Sequence, residues 1–295
     1  MYNSKKSSNF AGEMYATSNY AAQLRNIEQT GVVVMPNISR FAQYNVDSLC
    51  PHFSIMLMER GSVKTLYDMR EMTQREGEIS CLMPGHIVRT IESSDDMQAT
   101  VMVLSHKLFD ELQFHVFSHD FEKFNIAPIS PLSAEQAQQI KSITDQIAFV
   151  AARSEEEMPN RYAMIISLLA IGYEYLNYYR RELDKDWHDN RNAGLLTRFC
   201  DLVALHYRES REVQYYADLL HLTPKYFSKV ISSLTGESPA DYIDQYVVVQ
   251  AKQLLDKRPM TVKETAYRLG FNESASFCRF FKRVTGQTPQ EYRNA

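Results

Sequence analysis

The sequence predicts an α+β protein of two unlike parts: an N-terminal antiparallel β-barrel or sandwich continued by helices, and a C-terminal all-α domain with two helix-turn-helix units. Three observations predict it. Short apolar runs separated by turn residues fill the stretch from Ile27 to about Ser105, the rhythm of many closely spaced strands. From Glu212 to Tyr292 one helical pattern occurs twice. The charge divides near the same place: residues 195–295 hold 14 Lys+Arg against 11 Asp+Glu, and residues 1–194 hold 18 against 25. A chain of net charge −4 thus carries its basic surplus on the repeat.

Residues 1–26 are polar and weakly periodic, a flexible N-terminal segment. In residues 27–108, the barrel, the runs VVVMP, HFSIMLMER, SVKTLYDM, EISCLMP, HIVRTIE and QATVMVLS suit strands, with Gly61, Gly77 and Pro84-Gly85 between them. Several runs are apolar on both faces, so alternation does not fix which side is inward. If the barrel holds a ligand, the polar residues on or beside its strands, Tyr44, His52, Arg60, Tyr67 and His86, are the candidates to line the lumen. Outward-facing, they would be silent.

Residues 109–183 return to a helical period. Pro131-Leu-Ser133 caps a helix with Ile140, Ile143, Ile147 and Val150 on one stripe. Pro159 opens a second helix after the acidic break at residues 154–158. Its stretch Met164 to Leu176 is apolar around more than one face, which implies burial against the barrel and against a further surface, in the same chain or in a second copy. Residues 184–193 (DKDWHDNRNA) read as a linker that lets the two halves change their placement. Residues 194–295 form the C-terminal domain, opened by a helix with Leu196, Phe199, Leu202, Val203 and His206 at helical spacing.

In the first copy of the repeat Ala217, Leu220, Phe227, Gly236, Pro239 and Tyr242 mark the pattern, and in the second Ala266, Leu269, Phe277, Gly286, Pro289 and Tyr292. The offset is 49 before the turn and 50 after it, one extra turn residue in the second copy. Thr223 suits an N-cap with Pro224 as first helical residue, and Asn272 can cap the equivalent helix with Glu273 at its positive end. Gly236 and Gly286 suit left-handed C-caps. The second helix of each unit buries Phe227, Val230, Ile231 and Leu234, or Phe277, Phe280, Phe281 and Val284. Lys225, Tyr226, Ser228 and Lys229 are left outside in the first, and Ser274, Ser276, Arg279 and Lys282 in the second. Short polar and basic side chains on such a helix suit the DNA major groove. A solvated bundle face looks similar, but duplication with matching caps favours the groove. Between the units, Pro239 to Asp256 makes a spacer helix of roughly 27 Å at about 1.5 Å per residue, with Val247, Val248 and Val249 packing both halves into one body.

The second copy, with Ala266-Tyr-Arg-Leu-Gly-Phe, Ser276-Phe277, Phe280-Phe281-Lys282-Arg283, Gly286, Thr288-Pro289 and Tyr292-Arg293, resembles the signature of the AraC/XylS family of bacterial transcription regulators. The resemblance covers about Gly194 to Ala295, a third of the chain. It implies seven helices, with base-reading positions at Lys225, Ser228 and Lys229 and at Ala275, Ser276 and Arg279, of which Ala275 offers only a methyl group. It further implies double-stranded promoter DNA as partner, RNA polymerase as the machinery acted on, activation rather than repression, a cupin-like sensor barrel responsive to a small-molecule effector, and a helical segment that pairs two subunits into a homodimer.

No enzyme is expected. Catalytic cupins hold a metal with His-x-His, a following Glu and a later His, whereas His52 is followed by Phe53-Ser54 and His86 stands alone. A metal centre needs three or four convergent ligands, so no metal, cofactor or catalytic residue is anticipated. Cys50, Cys81, Cys200 and Cys278 lack metal spacing and read as reduced core thiols. The absence of a signal pattern and of a membrane-spanning apolar run points to the cytoplasm, with no membrane partner. Two other readings stay open: a constitutive regulator whose barrel is structural or binds protein, and a metal-dependent cupin enzyme fused to a DNA-binding module.

Overall fold

A computed structural model describes residues 24–41, 44–116, 124, 126–180, 191–256 and 260–294. Residues 1–23 of the N-terminal segment and 184–190 of the linker lie outside the described ones.

Nine strands among the described residues build two antiparallel sheets. The first runs in the order β1 (Val32–Ile38), β8 (Gln98–Leu104), β3 (Phe53–Arg60), β6 (Glu78–Leu82) and β9 (Ile129–Pro131). The second runs β2 (Ser48–Leu49), β7 (Ile87–Ser93), β4 (Ser62–Tyr67) and β5 (Arg70–Arg75). The six apolar runs became β1, β3, β4, β6, β7 and β8. Three strands carry too little apolar signal to be read: β2 and β9 are two and three residues long, and β5 is the polar edge segment REMTQR. The third run, SVKTLYDM, ends as a strand at Tyr67 because Asp68 turns the chain at φ 53.

Strand alternation sorts the first sheet into two apolar faces. Val33, Met35, Met56, Met58, Val101 and Val103 point inward, toward Val63 of the second sheet. Phe53, Leu57, Met102 and Leu104 point outward, under helices. Burial on both sides is why these strands lack a hydrophobic-polar alternation. The covering helices are α2 (His106–Val116), α3 (Ala134–Ala151) and α4 (Arg161–Arg180), while a short α1 (Ile27–Thr30) leads into β1. α2 starts three residues before the boundary read at 109. Ser133 and Gln136 form a reciprocal capping box at α3, which buries Ile140, Ile143, Ile147 and Val150. α4 buries Ile165, Ile166, Leu169, Tyr173 and Leu176 but leaves Met164 and Ile171 41% and 48% exposed, beside Phe149 at 56%. An apolar cavity of ≈ 40 Å³ remains between this pair and the first sheet, lined by Ile55, Cys81, Met102, Ile143 and Gly172 among others.

Seven helices follow among the described residues: α5 (Arg191–His206), α6 (Val213–Leu219), α7 (Pro224–Thr235), α8 (Pro239–Asp256), α9 (Val262–Arg268), α10 (Ser274–Thr285) and α11 (Pro289–Asn294). Residues 191–193, read as linker, are the first turn of α5. Phe199, Tyr216, Phe227, Tyr242, Val247, Phe277 and Phe281 belong to one continuous core, which also takes in Leu49, Met69 and Ile87 of the barrel. No helix among the described residues is long and apolar enough to cross a membrane.

Candidate nucleic-acid interface

α6 and α7 form the first helix-turn-helix unit, α9 and α10 the second, and α8 lies between. Ala217 and Ala266 are fully buried, which lets each first helix cross closely over the second. Thr223 accepts a bond from the Tyr226 amide at 3.3 Å, Pro224 opens α7, and Gly236 closes it at φ 78. Gly286 closes α10 in the same way at φ 80. The start of α10 differs from expectation. The extra turn residue moves the N-cap to Glu273, which makes no side-chain cap bond, and Asn272 falls outside the helix.

The buried stripes hold for Phe227, Val230, Ile231, Phe277 and Phe281, with Phe280 half-buried. Leu234 and Val284 are instead 41% and 36% exposed, since the seven-residue α6 and α9 are too short to cover the last turn of their twelve-residue partners. On the outer faces Lys225, Tyr226, Lys229, Ala275, Arg279 and Lys282 are exposed, while Ser228, Ser274 and Ser276 are half-buried. The Arg279 guanidinium donates to Ser276 Oγ at 3.1 Å, holding the longest side chain of α10 beside its shortest polar one.

Arg211, which carries no sequence signal, ties the units together. Its guanidinium donates to the Leu269 carbonyl and lies 3.7 Å from the centre of the Phe271 ring. It therefore reaches from the entry of the first unit to the turn of the second.

The barrel grips α5 and α8. Tyr242 Oη donates to Asp68 Oδ1 at 2.8 Å, Tyr246 Oη to the Gly85 carbonyl at 2.7 Å, and the Gln245 amide to Asp47 at 3.0 Å. His86 stands between Asp68 at 2.7 Å and Asp201 of α5 at 3.0 Å. Burial alone would lower the His86 pKa, but the two carboxylates outweigh it and raise it to about 10. Burial would raise Asp68, yet His86, Tyr242 and the Ile87 amide together hold it below the usual carboxylate value. The His86–Asp201 pair is a charged contact between two parts that sequence had joined only by a linker.

The five lumen candidates do not share one pocket. Tyr67 and His86 stack 5.4 Å apart against the C-terminal domain, and Tyr67 Oη accepts the Met83 amide at 3.1 Å. Arg60 is a surface residue, 3.9 Å from Asp96. Tyr44 is 36% exposed and bonds Ser93 at 2.7 Å. His52 sits at the end of the first sheet with Glu28 and His106. The inward face is instead filled by Met and Val, which leaves these polar groups at the rims. Cys50, Cys81 and Cys200 are buried free thiols, Cys50 and Cys81 pushed by burial up to about 11 and about 12, whereas Cys278 is only partly buried.

Residues 216–295 match the model of a helix-turn-helix domain. The uncharacterized HTH-type transcriptional regulator YobQ of Bacillus subtilis is 35% identical over 89 residues, 30% of this chain and 37% of YobQ. YpdC of Escherichia coli, described in the same words, is 30% identical over 102 residues, 35% of this chain and 36% of YpdC. The matched stretch spans little more than a third of either relative. The structure of ToxT from Vibrio cholerae superposes over 90% of this chain and 98% of its own, at 13% identity and a TM-score of 0.42. Residues 216–295 are thus a helix-turn-helix domain, joined to an antiparallel two-sheet domain.

Proposed function

We propose that the protein is a sequence-specific, DNA-binding transcription regulator whose barrel governs the placement of its two recognition helices, α7 and α10. The observation that carries this reading is the pair of exposed polar and basic helix faces mounted on one core. α8, roughly 27 Å long at about 1.5 Å per residue, is short of the ~34 Å between major-groove segments on one DNA face. The two units therefore either bend the DNA or enter adjoining segments at an angle. A surplus of three positive charges in residues 195–295 leaves phosphate contacts to a few side chains and to helix-start amides.

Genome-wide mapping of bound DNA, followed by titration of the recovered site, tests the reading. Arg279→Ala should weaken that site by about 1–3 kcal/mol while leaving random DNA nearly unchanged. Equal loss on both would assign Arg279 to phosphate and remove it from base reading. Lys225, Ser228, Lys229 and Ser276 are assigned to base edges, Ala275 to a methyl contact, and Tyr226, Ser274 and Lys282 to the backbone. Removing Lys282 should lower the salt slope by about one.

Homodimerisation belongs to the same proposal. The exposed apolar residues Phe149, Met164 and Ile171 on α3 and α4 supply a face that a second copy would cover. Ile171→Asp should convert a dimer to a monomer in sedimentation, and an unchanged dimer would move the interface elsewhere. An effector would act by making or breaking the contact between barrel and α8. Activation through RNA polymerase in the cytoplasm completes the reading and is measured by transcription from a bound promoter.

A further inference from the structure

Three side chains far apart in sequence meet where β1, β8 and β3 end together. Val32 pairs with Leu104, and Leu104 with Phe53. That register brings α1 before β1, the start of α2 after β8 and the residue preceding β3 to one edge. Glu28 comes from α1, His106 from the first position of α2, and His52 from beside β3. The Ser105 amide locks this corner by donating to the Gly31 carbonyl at 2.7 Å.

The geometry points to a binding site for one divalent first-row transition-metal ion, such as Zn²⁺, Co²⁺ or Ni²⁺, held by Glu28 and by ring nitrogens of His52 and His106. One donor atom from each of the three lies within 4.8 Å of the others. His106 Nδ1 is 2.8 Å and His52 Nδ1 3.4 Å from Glu28 Oε1. With metal–ligand bonds of about 2.0–2.2 Å, a tetrahedral centre needs its donors about 3.3–3.6 Å apart, so a small rotation of the exposed His106 ring closes the set.

A second observation separates this cluster from an ordinary ion pair. His52 is only 9% exposed, and its Nδ1 is buried without a hydrogen bond. The 3.4 Å approach to Glu28 is near enough for charge attraction but lacks hydrogen-bond geometry. Buried polar atoms are normally satisfied, and a metal ion would satisfy this one. Two imidazoles and one carboxylate suit borderline metals and not Mg²⁺ or Ca²⁺, which take oxygen cages. Glu28 and His106 are half exposed, so a fourth position is open to water. The site lies outside the inward face of the barrel and holds whether or not the chain binds DNA.

The test uses the untagged full-length chain, stripped with chelator and titrated with Co²⁺ and then Zn²⁺. One Co²⁺ per chain should bind, with a d–d spectrum of nitrogen and oxygen ligation, and Zn²⁺ should displace it. Loss of outer-shell partners alone typically costs 10–100-fold in metal affinity, so Glu28→Gln and His106→Ala should each weaken binding by more than about tenfold. Both residues are at the surface, and unchanged melting without metal shows that the variants fold. His206→Ala serves as the control, since His206 also faces a carboxylate, Glu209 at 3.0 Å, and should bind Co²⁺ as the native chain does. No saturable binding, binding untouched in the Glu28→Gln/His106→Ala double variant, or a thiolate charge-transfer band would each overturn the assignment.

Discussion

The two helix-turn-helix units share one pattern and one core, yet they are fastened in opposite ways. In the first unit the second helix is well capped, by Thr223 and Pro224, and the first helix starts at Glu212 without a side-chain cap bond. In the second unit the first helix carries a reciprocal capping box between Thr261 and Glu264, and the second starts uncapped at Glu273. The turns differ as well: His221 takes φ 55 where the other copy places Gly270 at φ 75. The hydrogen bonds to the barrel come from α5 and the first half of α8, next to Phe227 of the first unit through Phe199. Beyond the shared core, Arg211 ties the second unit to the first. The repeat specifies the helices, and unrepeated residues decide what each unit is anchored to.

The largest effect should come from the barrel anchor. His86→Ala leaves Asp68 buried without its counter-charge, and breaking a buried pair typically costs about 3–5 kcal/mol. The cost should appear as loss of the domain contact, measured as faster proteolysis between the halves, with the capped helices intact. The contact should also depend on pH. His86 is raised in the folded state, so its contribution is complete below the unfolded value of about 6.5 and is lost as the pH climbs to about 10. Asp68 is lowered, so its share is complete above the ordinary carboxylate value and is lost only as the medium turns more acidic than that. Undocking between pH 7 and 10 that is equal in the native chain and in His86→Ala would show that another group controls the interface.

Next in size is Gly270→Ala. An added Cβ would meet the Arg208 carbonyl oxygen and carbon, which are backbone and cannot yield, and the residue would stand at positive φ. Together these should cost about 3 kcal/mol. His221→Gly relieves the equivalent strain in the first unit and should shift stability by less than about 1 kcal/mol. Similar losses from both would mean that the two turns are equivalent after all. Arg211→Met removes a charged hydrogen bond and a cation–π contact while keeping the aliphatic stem, at about 2 kcal/mol. Denaturant titration should show the second unit affected first, and a uniform loss would deny Arg211 its bridging role.

Much of this was legible before any coordinates. The apolar period placed α3, α4 and the repeat, and turn chemistry placed the caps at Ser133, Thr223, Gly236 and Gly286, because these are local effects of side chain on backbone. The outward faces of α7 and α10 followed from the same period. What escaped is long-range. Asp68 and Tyr242 lie 174 residues apart, and nothing in a hydrophobic pattern links a barrel turn to a helix. His52 read as lacking a His-x-His partner, because Glu28 and His106 reach it only through strand register. β5 escaped for the opposite reason: an edge strand needs no apolar face, and REMTQR shows none.

The smallest effects concern the caps, and they test the opposed fastening most directly. Thr223→Ala and Thr261→Ala should each cost about 1 kcal/mol, because each frees a helix-start amide that the side chain now satisfies. Asn272→Ala should cost close to nothing, since Asn272 lies outside α10. Glu273→Ser should gain about 0.5–1 kcal/mol, because the backbone at 273 is already extended, φ −135 and ψ 136, and a serine oxygen there can accept the amide that glutamate leaves free. Ser274→Ala should be neutral by the same argument. Thermal unfolding resolves differences of this size. A loss at Asn272 as large as that at Thr223, with no gain from Glu273→Ser, would return the cap to Asn272 and make the two units alike at their recognition helices.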